Sequence, residues 1–197
     1  LTIASSACNT NTLAILPTGL GKTIIAILVA DSRLERYREG RILILAPTRP
    51  LTLQHYSSFK RFLTLPSNHF TALTGALNPD DRIDVWRSSQ MIFATPQTVL
   101  NDVKAGRASL KDFVLVVFDE AHRCVKDYSY TELARLYMSQ AEHPLILGLT
   151  ASPGGSKERV EEITRNLFIS KIEARSEDDK DVKPYIEETK IEWVKVR

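Results

Sequence analysis

Apolar residues along this chain fall into short β-rich runs, separated by longer stretches in which they recur every three or four positions. The short runs are Thr12–Leu16, Ile42–Ala46, His69–Leu73, Met91–Ala94, Phe113–Phe118 and Leu145–Leu149. Several are apolar throughout, the pattern of strands covered on both faces. Helical spacing runs over Thr23–Arg36, Pro50–Phe62, Asp80–Ser88, Pro96–Ala105, Tyr130–Gln140 and Lys157–Leu167. Thr48 before Pro50, Asn78 before Pro79 and Thr95 before Pro96 mark helix starts. Such alternation predicts a doubly wound, mostly parallel α/β sheet with helices on both faces. Ligands of such sheets collect at the carboxyl ends of the strands. The chain opens inside a helix-patterned stretch, as an excised fragment would.

Near Lys171 the pattern gives way to charge. "SEDDKD" reads as an exposed loop and "YIEETKIEWVKV" alternates as a strand does. Residues 171–197 are therefore read as a charged connecting segment after a domain over residues 1–170. An edge strand closing that domain fits the same residues.

Composition narrows the picture only slightly. A length of 197 residues suits one large domain, and a formal charge of +2 announces no nucleic-acid binder, so any basic surface has to be local. Cys8 and Cys124 lie far apart without CxxC partners, which disfavours a zinc site and fits a reducing, intracellular compartment. The expected location is intracellular, in the cytoplasm if the source is a prokaryote or archaeon and in the nucleus if it is a eukaryote. No apolar run approaches the ~18 residues of a membrane span, and no leader pattern precedes the first strand.

Candidate chemistry begins with one lysine. Between Leu1 and Ala30, Lys22 is the only residue among Asp, Glu, Lys, Arg and His. A lone cation in an apolar run needs an anion, and none is nearby in sequence. "AILPTGLGKT" supplies the reason: a strand ending at Leu16, a turn carrying Gly19 and Gly21, then Lys22-Thr23 opening a helix. That is the context of a phosphate loop. Glycines let backbone N–H groups approach phosphate oxygens, the helix start adds free N–H groups, Lys22 neutralises the β and γ phosphates, and Thr23 can ligate Mg²⁺. The general pattern asks for glycine five residues before Gly21, where Leu16 stands. A purely structural glycine turn is the competing reading.

"FVLVVFDEAH" ends a buried run in Asp119 and Glu120. If that strand neighbours the phosphate-loop strand, both carboxylates face the same crevice. Asp119 would then hold Mg²⁺ through its water shell, and Glu120 would orient or deprotonate the attacking water. An acidic helix start is the plainer alternative. His122 is placed to link this site to a neighbouring element, identified as "LGLTASP", where Thr150 and Ser152 close a further strand. Their hydroxyls can bond to the carboxylate loop or serve as ordinary caps.

In order and spacing, PTGLGKT (residues 17–23), APTRPL (46–51), TG (74–75), ATPQT (94–98), DEAH (119–122) and TAS (150–152) resemble the first RecA-like domain of a superfamily 2 helicase. Within that superfamily, "VFDEAHRCVKDYSY", "LGLTASPG" and the charged tail are similar to the archaeal Hef and Fanconi anaemia group M branch of DNA translocases. The resemblance implies ATP and Mg²⁺ as cofactors, bound by Pro17, Thr18, Gly19, Leu20, Gly21, Lys22 and Thr23, with Thr23 and Asp119 on the metal. It implies catalytic roles for Lys22, Asp119, Glu120 and His122, and coupling of hydrolysis to strand movement by Thr150 and Ser152. It further implies that Thr48, Arg49, Gln54, Thr74, Gly75, Thr95 and Pro96 grip the nucleic-acid backbone. Physically, Arg49 supplies charge while hydroxyls and helix-start N–H groups donate to phosphates without reading bases.

The expected partners are branched or double-stranded DNA and a second helicase domain, with an arginine finger, beyond Arg197. A helical insert precedes that domain in the Hef branch. The family's adenine-reading glutamine motif is expected upstream of Leu1. RIG-I-like and Dicer-type RNA motors share the motifs but typically carry DECH, so the sequence favours DNA. A non-catalytic scaffold of the same fold is the third class, disfavoured by the intact lysine, threonine and carboxylates.

Overall fold

The computed structural model describes residues 2–175 except 20, 76, 127 and 153. The expected "SEDDKD" loop and "YIEETKIEWVKV" strand lie outside the described residues. In chain order the elements are α1 (Thr2–Ala7), β1 (Thr12–Ile15), α2 (Lys22–Arg36), β2 (Arg41–Leu45), α3 (Arg49–Phe62), β3 (Phe70–Leu73), α4 (Asp81–Ser88) and β4 (Met91–Ala94). They continue with α5 (Pro96–Lys104), β5 (Phe113–Asp119), α6 (Ser129–Gln140), β6 (Ile146–Thr150), α7 (Lys157–Asn166) and β7 (Lys171–Ala174). All seven strands pair in parallel in the order β3-β4-β2-β5-β6-β1-β7.

The strand alternation divides the core into two. Leu43, Leu45, Ile92, Val116 and Phe118 point to one face, where Trp86 of α4, Val99 of α5, Tyr130 and Tyr137 of α6 and Ile163 of α7 cover them. Ile42, Ile44, Phe93, Leu115 and Val117 point to the other, beneath Ala4 of α1, Val29 of α2 and Phe59 of α3. Burying both faces needs the near-continuous apolar strands read from the sequence.

Two features refine the expected elements. Helix α4 begins at Asp81, with Asp80 as its N-cap, so Asn78 lies outside it, although its carbonyl accepts the Arg82 amide (3.3 Å). Strand β7 is the edge-strand alternative, narrowed to Lys171–Ala174: it pairs with Thr12–Ile15, its start held by Ser170 and Lys171 amides on the Asn11 carbonyl.

The β2–β5 ladder slips one residue between Arg41 and Ile42, leaving Val114 as an extra residue in β5. Such a bulge frees a carbonyl, and buried Arg33 caps it: Nε donates to the Val114 carbonyl (2.9 Å) and Nη2 to that of His143 (2.7 Å). Gly40 faces the bulge, where a Cβ would stand 2.7 Å from a Val114 methyl.

On the other side Asp102 is fully buried and accepts four hydrogen bonds. Arg82 holds both oxygens (2.8 Å each), Trp86 Nε1 adds one (2.9 Å) and Arg107 Nε another (2.9 Å). Burial pushes the Asp102 carboxyl up, but the bonds from Arg82, Trp86 and Arg107 outweigh it and leave the pKa below its ordinary 3.8. Arg82 Nη1 also donates to the Leu77 carbonyl (2.7 Å), tying the loop before α4 to α5.

Candidate active site

Strand β6 lies between β1 and β5, so the phosphate-loop strand and the carboxylate strand are not neighbours. The ends of β1, β6 and β5 nonetheless form one row, spanning two strand spacings or about 10 Å. Thr150 therefore stands between the loop and the carboxylates.

After Leu16 the chain turns through Gly19 (φ 85°) and Gly21 (φ 84°), a left-handed backbone that side-chain-bearing residues avoid. Gly21 is the N-cap of α2, which starts at Lys22, one residue before the expected Thr23. Lys22 and Thr23 thus occupy the first turn, where backbone N–H groups lack helical partners. Lys22 Nζ donates to the carbonyls of Leu16 (3.1 Å) and Pro17 (3.3 Å). Among the described residues it has no carboxylate partner. Thr18 is exposed, and Leu20 lies outside the described residues.

Asp119 is held from two directions. Buried Tyr130 of α6 donates its hydroxyl to the Asp119 carbonyl (2.7 Å) and reaches that of Leu45 (3.2 Å), locking the ends of β5 and β2. Burial, then the neighbouring Asp119 charge, push the Tyr130 pKa well above the usual phenol value, so it stays a donor. From the opposite face, His55 Nε2 of α3 lies 2.7 Å from Asp119 Oδ2. Sequence reasoning missed both residues. The spacing Thr52, His55, Phe59 does place His55 on the buried stripe of α3, but nothing in it names the partner.

Glu120 sits in the left-handed region (φ 52°, ψ 47°), followed by a 3₁₀ turn over Ala121–Arg123. A non-glycine residue held there marks a functional candidate. His122 Nδ1 lies 3.2 Å from Glu120 Oε2 and 3.1 Å from Thr150 Oγ1. The Thr150 proton goes to the Ser152 carbonyl (2.8 Å), so Oγ1 accepts and the geometry assigns the hydrogen to Nδ1. His122 therefore does link Glu120 to the end of β6, as expected. Ser152 Oγ instead accepts the Gly154 amide (3.4 Å). Glu120, His122, Ser152 and Arg159 line a cleft of about 540 Å³. Cys124 is buried, which pushes its thiol up to about 12 and leaves it unreactive.

The residues implied in nucleic-acid contact divide by exposure. Thr48, Arg49, Gln54 and Gly75 are exposed, Thr95 is half-buried with its hydroxyl 2.9 Å from that of Thr98, and Thr74 and Pro96 are buried. All lie at the carboxyl edge of β2, β3 and β4 or on the helices that follow. They continue the row begun by β1, β6 and β5.

The model for DEAD/DEAH box helicases matches residues 2–160, from α1 into α7. The chain belongs to the DEAD/DEAH box helicase family. It is 50% identical to the Pyrococcus furiosus Hef helicase domain, with a TM-score of 0.93 over 98% of this chain and 41% of that one, so the sheet is that helicase's RecA-like fold. It is 39% identical to the Drosophila melanogaster DEAD-box ATP-dependent DNA helicase Fancm, over 99% of this chain and 13% of that protein. It is also 44% identical to a Methanocaldococcus jannaschii protein provisionally named an ATP-dependent RNA helicase, over 96% of this chain and 24% of that protein. Within the helicase family the chain groups with the Hef and Fanconi anaemia group M branch, and it spans a quarter or less of these two relatives. No helix among the described residues is long and apolar enough to cross a membrane.

Proposed function

We propose that this chain is the ATP-binding motor domain of an ATP-dependent helicase or translocase that remodels branched DNA, forks and Holliday junctions. One observation carries the nucleotide part of the reading: a glycine turn with a lysine that has no carboxylate partner among the described residues, a threonine-histidine link and a paired carboxylate end three adjacent strands at one sheet edge. The DNA part is supported by the Drosophila relative's name as a DNA helicase. Lys22 would leave its two carbonyls for the β and γ phosphates, with loop and helix N–H groups around the rest. Glu120 would take the proton of the attacking water, and His122 would report that state to Thr150 at the end of β6.

The donor set fits Mg²⁺. No group of three or more His, Cys, Asp or Glu able to cage a metal exists among the described residues, and magnesium is normally held by one or two protein oxygens plus phosphates and water. Thr23 and Asp119 supply those oxygens. When bound, the ion would neutralise charge developing on the phosphates.

A second helicase domain would complete the site, since an arginine finger is commonly worth ~10³–10⁵ in rate. The motor domain would run past the expected boundary at residue 170 through β7, which belongs to its sheet, and the chain after Ala174 would lead toward that partner in an intracellular DNA-repair protein. An RNA motor is the alternative reading, favoured by the name of the archaeal relative. ATP turnover by the intact protein, titrated separately with forked DNA and double-stranded RNA, decides between them. Stimulation by the fork, abolished in Lys22→Ala, is expected. Stimulation by RNA alone would move the protein to the RNA-processing class.

A further inference from the structure

We propose that His55 is a positioning residue through which α3, the helix that would grip the nucleic acid, sets the Asp119 carboxylate that would hold the metal. The inference rests on the assignments of Asp119 and α3 proposed above.

Three observations converge on it. First, the two clamps on Asp119 act on different atoms. Tyr130 fixes the backbone carbonyl from α6, whereas His55 is the one side chain among the described residues bonded to the carboxylate. The backbone is therefore anchored independently, and the carboxylate's orientation is set from α3. Second, His55 is only 6% exposed, and its Nδ1 is the sole buried side-chain nitrogen or oxygen without a partner among the described residues. An imidazole with one orphaned nitrogen is a poor space-filler compared with an apolar residue of similar size. Its bond to Asp119 is the polar contact that accounts for it. Third, Gln54 next to it is exposed, and Thr48 and Arg49 begin the same helix. A shift of α3 as a rod moves the exposed contact residues and the buried imidazole together.

Nε2 donates to Oδ2, which leaves Oδ1 for the water shell of a metal. Turning the imidazole turns both oxygens. Nucleic-acid binding and metal affinity are thus coupled, and the coupling is reciprocal.

The test is Mn²⁺ binding, followed by electron paramagnetic resonance, to the intact protein with ADP, with and without forked DNA. In the wild type, DNA is expected to shift Mn²⁺ affinity by about fivefold or more, with the same factor on DNA affinity when Mn²⁺·ADP is added. His55→Leu removes the donor and should bring the shift within about twofold. It should also weaken Mn²⁺ binding by roughly 10–100-fold, the usual scale for a lost outer-shell partner. His55→Gln places an amide donor where Nε2 stands and should retain the shift.

A shift that is absent in the wild type, survives in His55→Leu or is lost in His55→Gln overturns the inference. Asp119→Asn separates the two levels. If it leaves Mn²⁺ binding unchanged, the metal assignment itself falls and takes the inference with it. If it weakens Mn²⁺ binding while His55→Leu keeps the shift, only the role of His55 falls.

Discussion

Glu120→Gln in the intact protein is expected to bind ATP as the wild type does and to hydrolyse it ~10²–10⁴-fold more slowly, the contribution of a positioned general base. Glutamine matches glutamate in size and can occupy the same rotamers, so the cleft beside His122 and Ser152 keeps its shape. It cannot accept a proton from water. The backbone at Glu120 is left-handed, which costs an L-residue ~1–2 kcal/mol, and glutamine bears the same cost, so the turn into Ala121–Arg123 is preserved. Steady-state turnover alongside equilibrium binding of a fluorescent nucleotide separates the two effects. Turnover near the wild-type rate would place the base on another residue.

The largest stability effect is expected at Asp102. Its carboxylate lies at zero exposure between two guanidinium groups and an indole N–H, so Asp102→Asn leaves Arg82 buried beside a neutral amide. Breaking a buried pair by removing one partner costs about 3–5 kcal/mol, which in a chain of this size is a fall in melting temperature on the order of 10 °C. The pH dependence has a definite sign. Because the folded-state pKa lies below 3.8, the stabilisation is fully present above that value and is lost as pH falls through the folded pKa. Urea unfolding of the wild type should therefore weaken as pH drops below about 4, with a smaller slope in Asp102→Asn. The loop carrying Thr74 and Gly75 is tied to α5 through the same cluster, so nucleic-acid affinity should fall with stability. A variant as stable as the wild type would mean that the cluster relaxes without its carboxylate.

Much of this was legible because strands buried on both faces leave an unmistakable apolar signature, and because each chemical motif sits where such a strand ends. Phe113–Asp119 shows both at once. Strand order was not legible: nothing local in "LGLTAS" says that β6 inserts between β1 and β5, since that is decided by how helices on two faces pack. Strand β7 is the edge strand weighed for residues 171–197, but its span was not legible, because its residues are charged and largely exposed and its pairing rests on Thr12–Ile15, Asn11 and the Ser6–Glu173 contact from distant sequence. His55 and Tyr130 were hidden for a related reason. Each reads as a core residue by spacing, and its function lies in a polar atom aimed at a partner 64 or 11 positions away. The helix start expected after Asn78 moved because Pro79 and Asp80 form a turn before α4.

If the phosphate loop and the β5 carboxylates form one metal-nucleotide site, both must meet the same bound nucleotide. A crystal structure of the protein with Mg²⁺ and a non-hydrolysable ATP analogue tests it most directly. Lys22 Nζ is expected to be released from the Leu16 and Pro17 carbonyls and bonded to the β and γ phosphates, with Thr23 and Asp119 holding the ion and Glu120 facing the γ phosphate. A nucleotide bound elsewhere, or Lys22 still seated on its two carbonyls, would contradict it.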